Sequence, residues 1–127
     1  SLYFLKCEYV DFDSIEPENK LVSLQITQQR QPINSLRFLT SCGYLRRLII
    51  SGTEVCPGAF EDLTCAQHLK VAYIDATTFG DSIIKRISRT SPHLLLSNGN
   101  LHLIGGKEID RVVYEQIKAE TDKTIRE

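Results

Sequence analysis

The stretch Leu45-Arg46-Arg47-Leu48-Ile49-Ile50 decides the fold, because it is one of three copies. Its apolar positions Leu45, Leu48 and Ile50 are matched 24 residues earlier by Leu21, Leu24 and Ile26, and 24 residues later by Leu69, Ala72 and Ile74. The second half of the period recurs as well. Leu36, Phe60 and Ile84 are 24 apart, and so are Leu39, Leu63 and Ile87. Five apolar positions held in register over three copies mark a repeat protein. A weaker copy, Leu2, Leu5 and Cys7, stands 19 residues before the first full one.

Two periodicities share each unit. Leu48 and Ile50 alternate with Arg47 and Ile49 as in a strand, so the first pair faces the core and the second faces away. Gly52 and Pro57 then supply turn chemistry. Phe60 and Leu63 follow at helical spacing, as do Ile33, Leu36 and Leu39 one unit earlier and Ile83, Ile84 and Ile87 one unit later. A strand, a turn and a short helix are too small to bury their own apolar face. Stacked units bury it jointly, with a parallel sheet on one side and short helices on the other.

The copies LVSLQI, LRRLII and LKVAYI resemble the leucine-rich repeat family, whose units open LxxLxL. The resemblance covers roughly residues 2–96 and implies an α/β solenoid of about four units over residues 1–96, with residues 97–127 as a C-terminal hairpin, cap and charged helix. In the family the ninth position is usually Asn, Cys or Thr, bonded to the loop backbone. Thr53 and Thr77 match it, whereas Gln29 departs from it. The segments Val55 to Leu69 and Phe79 to Leu94 look most like the cysteine-containing subclass of F-box-type proteins. Ser91-Pro92-His93-Leu94 stands where that subclass has C-P-x-L.

After Pro92 the period is expected to break. Two apolar runs flank Asn98-Gly99, a hairpin signal, and Gly105-Gly106 is expected to end the sheet. Ile109, Val112, Val113, Tyr114 and Ile117 then form a helical stripe in a segment where 11 of 21 residues are charged. The expected helix docks near its start and runs into solvent toward Glu127.

The chain of 127 residues carries 15 Lys+Arg against 16 Asp+Glu, so no net charge draws it to nucleic acid or anionic lipid. That balance hides an acidic start (−3 over residues 1–20), a basic middle (+3 over 21–106) and a mixed tail (−1 over 107–127). With 42% apolar and 24% charged residues the composition is globular, and no apolar run is long enough to span a membrane. The absence of Met suggests an excerpt of a longer chain or a piece of a larger complex. No cysteine-rich flank and no Asn-x-Ser/Thr sequon occurs, which favours a reducing, intracellular setting.

Catalytic chemistry finds little support. Cys56, Cys65 and His68 lack a fourth ligand for structural zinc. Pairing Cys65 with His68, or Cys42 with His93, leaves no orienting acid. Ser51-Gly-Thr and Ile104-Gly-Gly-Lys lack the phosphate-cradle frame. A doubly wound enzyme needs units of roughly 30 residues, longer than these. No enzyme activity, metal or cofactor is therefore expected; Cys7, Cys42 and Cys65 are expected to pack inward.

What remains is the sheet face turned away from the core. Its residues line up in rows across the units: Tyr3, Val22, Arg46 and Lys70; Phe4, Ser23, Arg47 and Val71; Lys6, Gln25, Ile49 and Tyr73; Glu8, Thr27, Ser51 and Asp75. Tyr and Arg are enriched at interface hot spots. Tyr3, Lys6, Gln25, Arg46, Arg47, Ile49, Tyr73 and Asp75 are the expected partner-binding residues, and the partner is a protein. The family resemblance implies substrate recognition in a ubiquitin-ligase adaptor. The alternative is a structural subunit, anchored by its C-terminal helix in a mitochondrial or ribonucleoprotein assembly.

Overall fold

The computed structural model describes residues 4–7, as backbone, and residues 20–125. Tyr3, Leu2, Glu8 and the acidic run to residue 19 lie outside the described residues. The described residues form a mixed α/β structure around one sheet of seven strands, which lie side by side in chain order. The strands are β1 (Phe4–Cys7), β2 (Ser23–Thr27), β3 (Arg47–Ser51), β4 (Val71–Ile74), β5 (Leu95–Ser97), β6 (His102–Ile104) and β7 (Lys107–Ile109). Strands β1 to β5 run parallel, and β6 and β7 return antiparallel.

The sequence period is the strand register. Leu24 lies beside Leu48 and Leu48 beside Ala72, while Ile26, Ile50 and Ile74 form the next row. The 19-residue offset of the first copy is also kept, with Leu5 beside Leu24 and Cys7 beside Ile26. All fifteen positions of the three full copies are buried in one continuous cluster. Alternation explains the selection: Leu48 and Ile50 point into it and Arg47 and Ile49 do not.

The period also runs one strand further than expected. Val71 lies beside Leu95 and Ala72 beside Leu96, so the 24-residue offset outlives Pro92. Only Leu96 keeps an apolar triplet position there, because the last one falls on Asn98, which opens the hairpin. Its side-chain oxygen accepts from the Asn100 and Leu101 amides at 2.9 and 2.7 Å, a turn that asparagine makes within its own loop.

Opposite the sheet, two of the three expected helices are 3-10 segments, Arg37–Ser41 and Pro57–Cys65, and one is a true α-helix, α1 (Asp81–Thr90). Strands stack at about 4.8 Å, whereas an α-helix is about 10 Å across. The slimmer 3-10 coil suits the crowded middle, and α1 has room at the end. Phe60 and Phe79 stack at 4.2 Å between the Pro57–Cys65 and α1 layers.

Gly105-Gly106 does not end the sheet. Both glycines have positive φ, 59° and 77°, the mirror-image turn that joins two antiparallel strands, and β7 follows. Asp110 then caps α2 (Arg111–Thr124) by accepting from the Val113 amide at 2.9 Å.

Candidate partner-binding face

Helix α2 does not run into solvent. Tyr114 is buried with Val71 and Leu95 on the sheet face turned away from the main core, and Ile104, Ile109 and Ile117 pack around them. Ile125, one residue past the helix, is buried as well. The inward stripe is Tyr114, Ile117, Thr121 and Ile125, spaced three, four and four. Val112 and Val113, expected on that stripe, are instead 66% and 37% exposed on the outer side.

A ring stack and an ion pair fix the helix at its two ends. Tyr114 stacks on His102 of β6 with ring centroids 4.3 Å apart. His102 Nδ1 lies 2.8 Å from the hydroxyl of Ser97, which is wholly buried. Burial, followed by the charge of Glu115, pushes the Tyr114 hydroxyl up to about 12. At the far end Arg47 donates from Nη1 to Asp122 Oδ1 at 2.9 Å, while its Nε donates to Ser23 Oγ at 2.9 Å.

The predicted rows are therefore present but unequally accessible. Gln25, Ile49 and Tyr73 form one row, with the Lys6 backbone beside Gln25, and all three side chains are half-buried. Ser23 and Val71 are buried, which their place on an open face would not allow. Arg47 is engaged by α2 and Ser23. Arg46 folds back, its guanidinium donating to the Gly43 carbonyl at 3.3 Å. Asp75 turns to the neighbouring loop, where it accepts from the Gly52 amide at 3.0 Å and the Ser51 hydroxyl at 3.1 Å. That contact fixes the turn at Gly52, whose φ is 64°. Between α2 and the sheet a groove of about 220 Å³ remains, lined by Ile49, Val71, Tyr73, Tyr114, Glu115 and Lys118. At its border the Tyr73 ring lies close to Gly99, and a side chain there would meet the Tyr73 oxygen at 3.3 Å. Partial burial and then Asp75 raise the Tyr73 hydroxyl above its ordinary range.

No protein-family model matches the chain, and a search of curated proteins finds no match.

Elsewhere the candidate residues scatter. The ninth-position ladder is real at one step, where the Gln29 amide donates to the buried Thr53 hydroxyl at 2.9 Å. Thr77 is exposed instead, and its hydroxyl and amide donate to Glu54, holding that carboxyl below its usual range. Cys42 is buried, but Cys65 is exposed, against the expectation that it packs inward. Cys42, Cys65 and His68 border a cleft of about 360 Å³ on the side away from α2, yet among the described residues no three metal-ligating side chains gather. His93 is exposed ahead of β5, as His68 is ahead of β4. Among the described residues no helix is long and apolar enough to cross a membrane.

Beside Tyr114, which the expected helical stripe already contained, the residues of the α2 seat missed by sequence reasoning are His102, Ser97, Leu95 and Asp122. One signal was available. Leu94, Leu95 and Leu96 form an unbroken apolar run, and a strand apolar on successive residues has both faces covered.

Proposed function

We propose that the chain is a non-catalytic interaction module of the leucine-rich repeat type, which binds a protein partner through the sheet face turned away from the main core. The in-register period of LVSLQI, LRRLII and LKVAYI supports the architecture. The observation that carries the function is the groove floored by Ile49, Val71 and Tyr73, apolar surface placed outside the main core. Apolar and aromatic residues beside a polar rim are what an interface centre needs. The specific role that fits the family resemblance is substrate recognition in a ubiquitin-ligase adaptor, in an intracellular setting.

A second reading, the structural subunit held in an assembly by its C-terminal helix, draws on the outer side of α2. There Val112 and Ala119 share a shallow exposed surface with Arg111, Glu115 and Gln116.

Both readings are tested by affinity capture from cell extract, with the captured proteins quantified against the native chain. Ile49→Glu is expected to lose the captured set while melting at the native temperature, and Val112→Glu is expected to keep it. The opposite pattern favours the structural subunit, and capture that survives Ile49→Glu removes the sheet face from consideration. Arg47→Glu is the poorer probe, because it also breaks the Asp122 pair.

A further inference from the structure

We propose that α2 is a displaceable occupant of its own sheet face, and that the partner of this face is an amphipathic helix making the same three contacts. Those contacts are a buried aromatic ring, an aliphatic residue three positions on and a carboxylate eight positions on, as Tyr114, Ile117 and Asp122 are spaced in α2. The inference rests on the interaction-face reading and names the class of partner.

The main core is built without α2. That cluster contains no α2 residue, and the helix is held by a separate small one of Val71, Leu95 and Tyr114 with its three half-buried neighbours. An element attached in this way opens locally, at lower cost than the core itself. The seat also accepts a helix by its dimensions. Tyr114 meets β6 and Asp122 meets β3, three strand spacings apart, or about 14 Å. Eight residues of α-helix rise about 12 Å, so a helix laid across the strands reaches both sites.

The open groove continues the seat, because Val71 belongs to both. If α2 leaves, Ile49, Tyr73, Val71 and Leu95 become one apolar strip across β3, β4 and β5. Arg47 stands at one side of that strip, already held by Ser23, and a carboxylate is the group that complements it. Glu115 and Lys118, the polar members of the groove wall, depart with α2. What is exposed therefore selects for an apolar stripe ending in an acid, the chemistry of α2 itself.

The test uses the full chain and a fluorescein-labelled synthetic peptide of residues 109–125, followed by anisotropy. Asp122→Arg loosens the internal helix and leaves Arg47 in the seat. The peptide should bind this variant about 10-fold more tightly than the native chain, as expected when the competent state becomes more populated. A peptide that itself carries Asp122→Arg should lose the gain. Equal binding to both chains, binding to neither, or a variant that forms dimers and excludes the peptide overturns the proposal. Amide exchange on the native chain supplies a second reading that needs no variant. Amides of α2 should exchange at least about 10-fold faster than those of β3; exchange in step with β3 overturns the proposal. The two readings fail separately. Loss of capture by Ile49→Glu together with a non-displaceable α2 sinks this inference alone, whereas capture unaffected by Ile49→Glu sinks the interaction face.

Discussion

At Gly106 a single methyl group decides whether the second hairpin closes. Its φ is 77°, and a Cβ there would lie 2.6 Å from Arg89 Cγ, while its amide donates to the buried Ser88 hydroxyl at 2.9 Å. Gly106→Ala is expected to cost about 1–2 kcal/mol through the left-handed backbone and the displaced arginine, read as a lower urea midpoint with unchanged slope. Residue roles of this kind were only partly legible beforehand. Burial of Leu48 and the outward direction of Ile49 follow from alternation alone. The role of Arg47 does not, because its partner Asp122 is 75 residues away in the chain. Asp75 looked like a binding residue for the same reason: spacing places it on the open row, but only the folded loop brings the Gly52 amide to it.

Among the elements, α2 has the most distinctive dependence on conditions. Tyr114 titrates at about 12 against an ordinary 10.0, so the folded state binds its proton more tightly than the unfolded one. Its contribution to docking is complete below the ordinary value and disappears as pH rises from there through the raised one. Alkaline titration followed by tyrosinate absorbance should show one tyrosine ionising last, together with release of α2, and Tyr114→Phe should abolish that last step. A tyrosine set that ionises in a single ordinary step would contradict the buried position. The existence of α2 was readable from its periodicity and its Asp110 cap, but its inward face was not. Val112 and Val113 are as apolar as Ile117, and only the position of the seat decides which of them is covered. For the 3-10 segments the sequence supplied the apolar spacing, and the narrow strand stacking supplied the type of coil.

The molecule as a whole depends on layers that share one core. Phe60 is wholly buried, stacks on Phe79 and lies in the same cluster as residues from Leu21 to Leu103. Phe60→Ala is expected to cost about 3–5 kcal/mol from lost burial and the cavity left behind. Because the cluster is continuous, the loss should appear as one earlier cooperative transition in chemical denaturation rather than as melting of one end. This is the scale at which the sequence was most informative, since a 24-residue spacing repeated along the chain became a row of neighbours across the sheet. The same arrangement gives the sheet a polarity. At β5 the parallel series reverses, and two hairpins bring the edge to β7, only three residues long, with exposed Lys107 and Glu108. A short, charged edge is a poor template for another strand. Growth of the sheet by further parallel units is thus blocked on that side, and the β1 margin is where its direction of assembly remains unreversed.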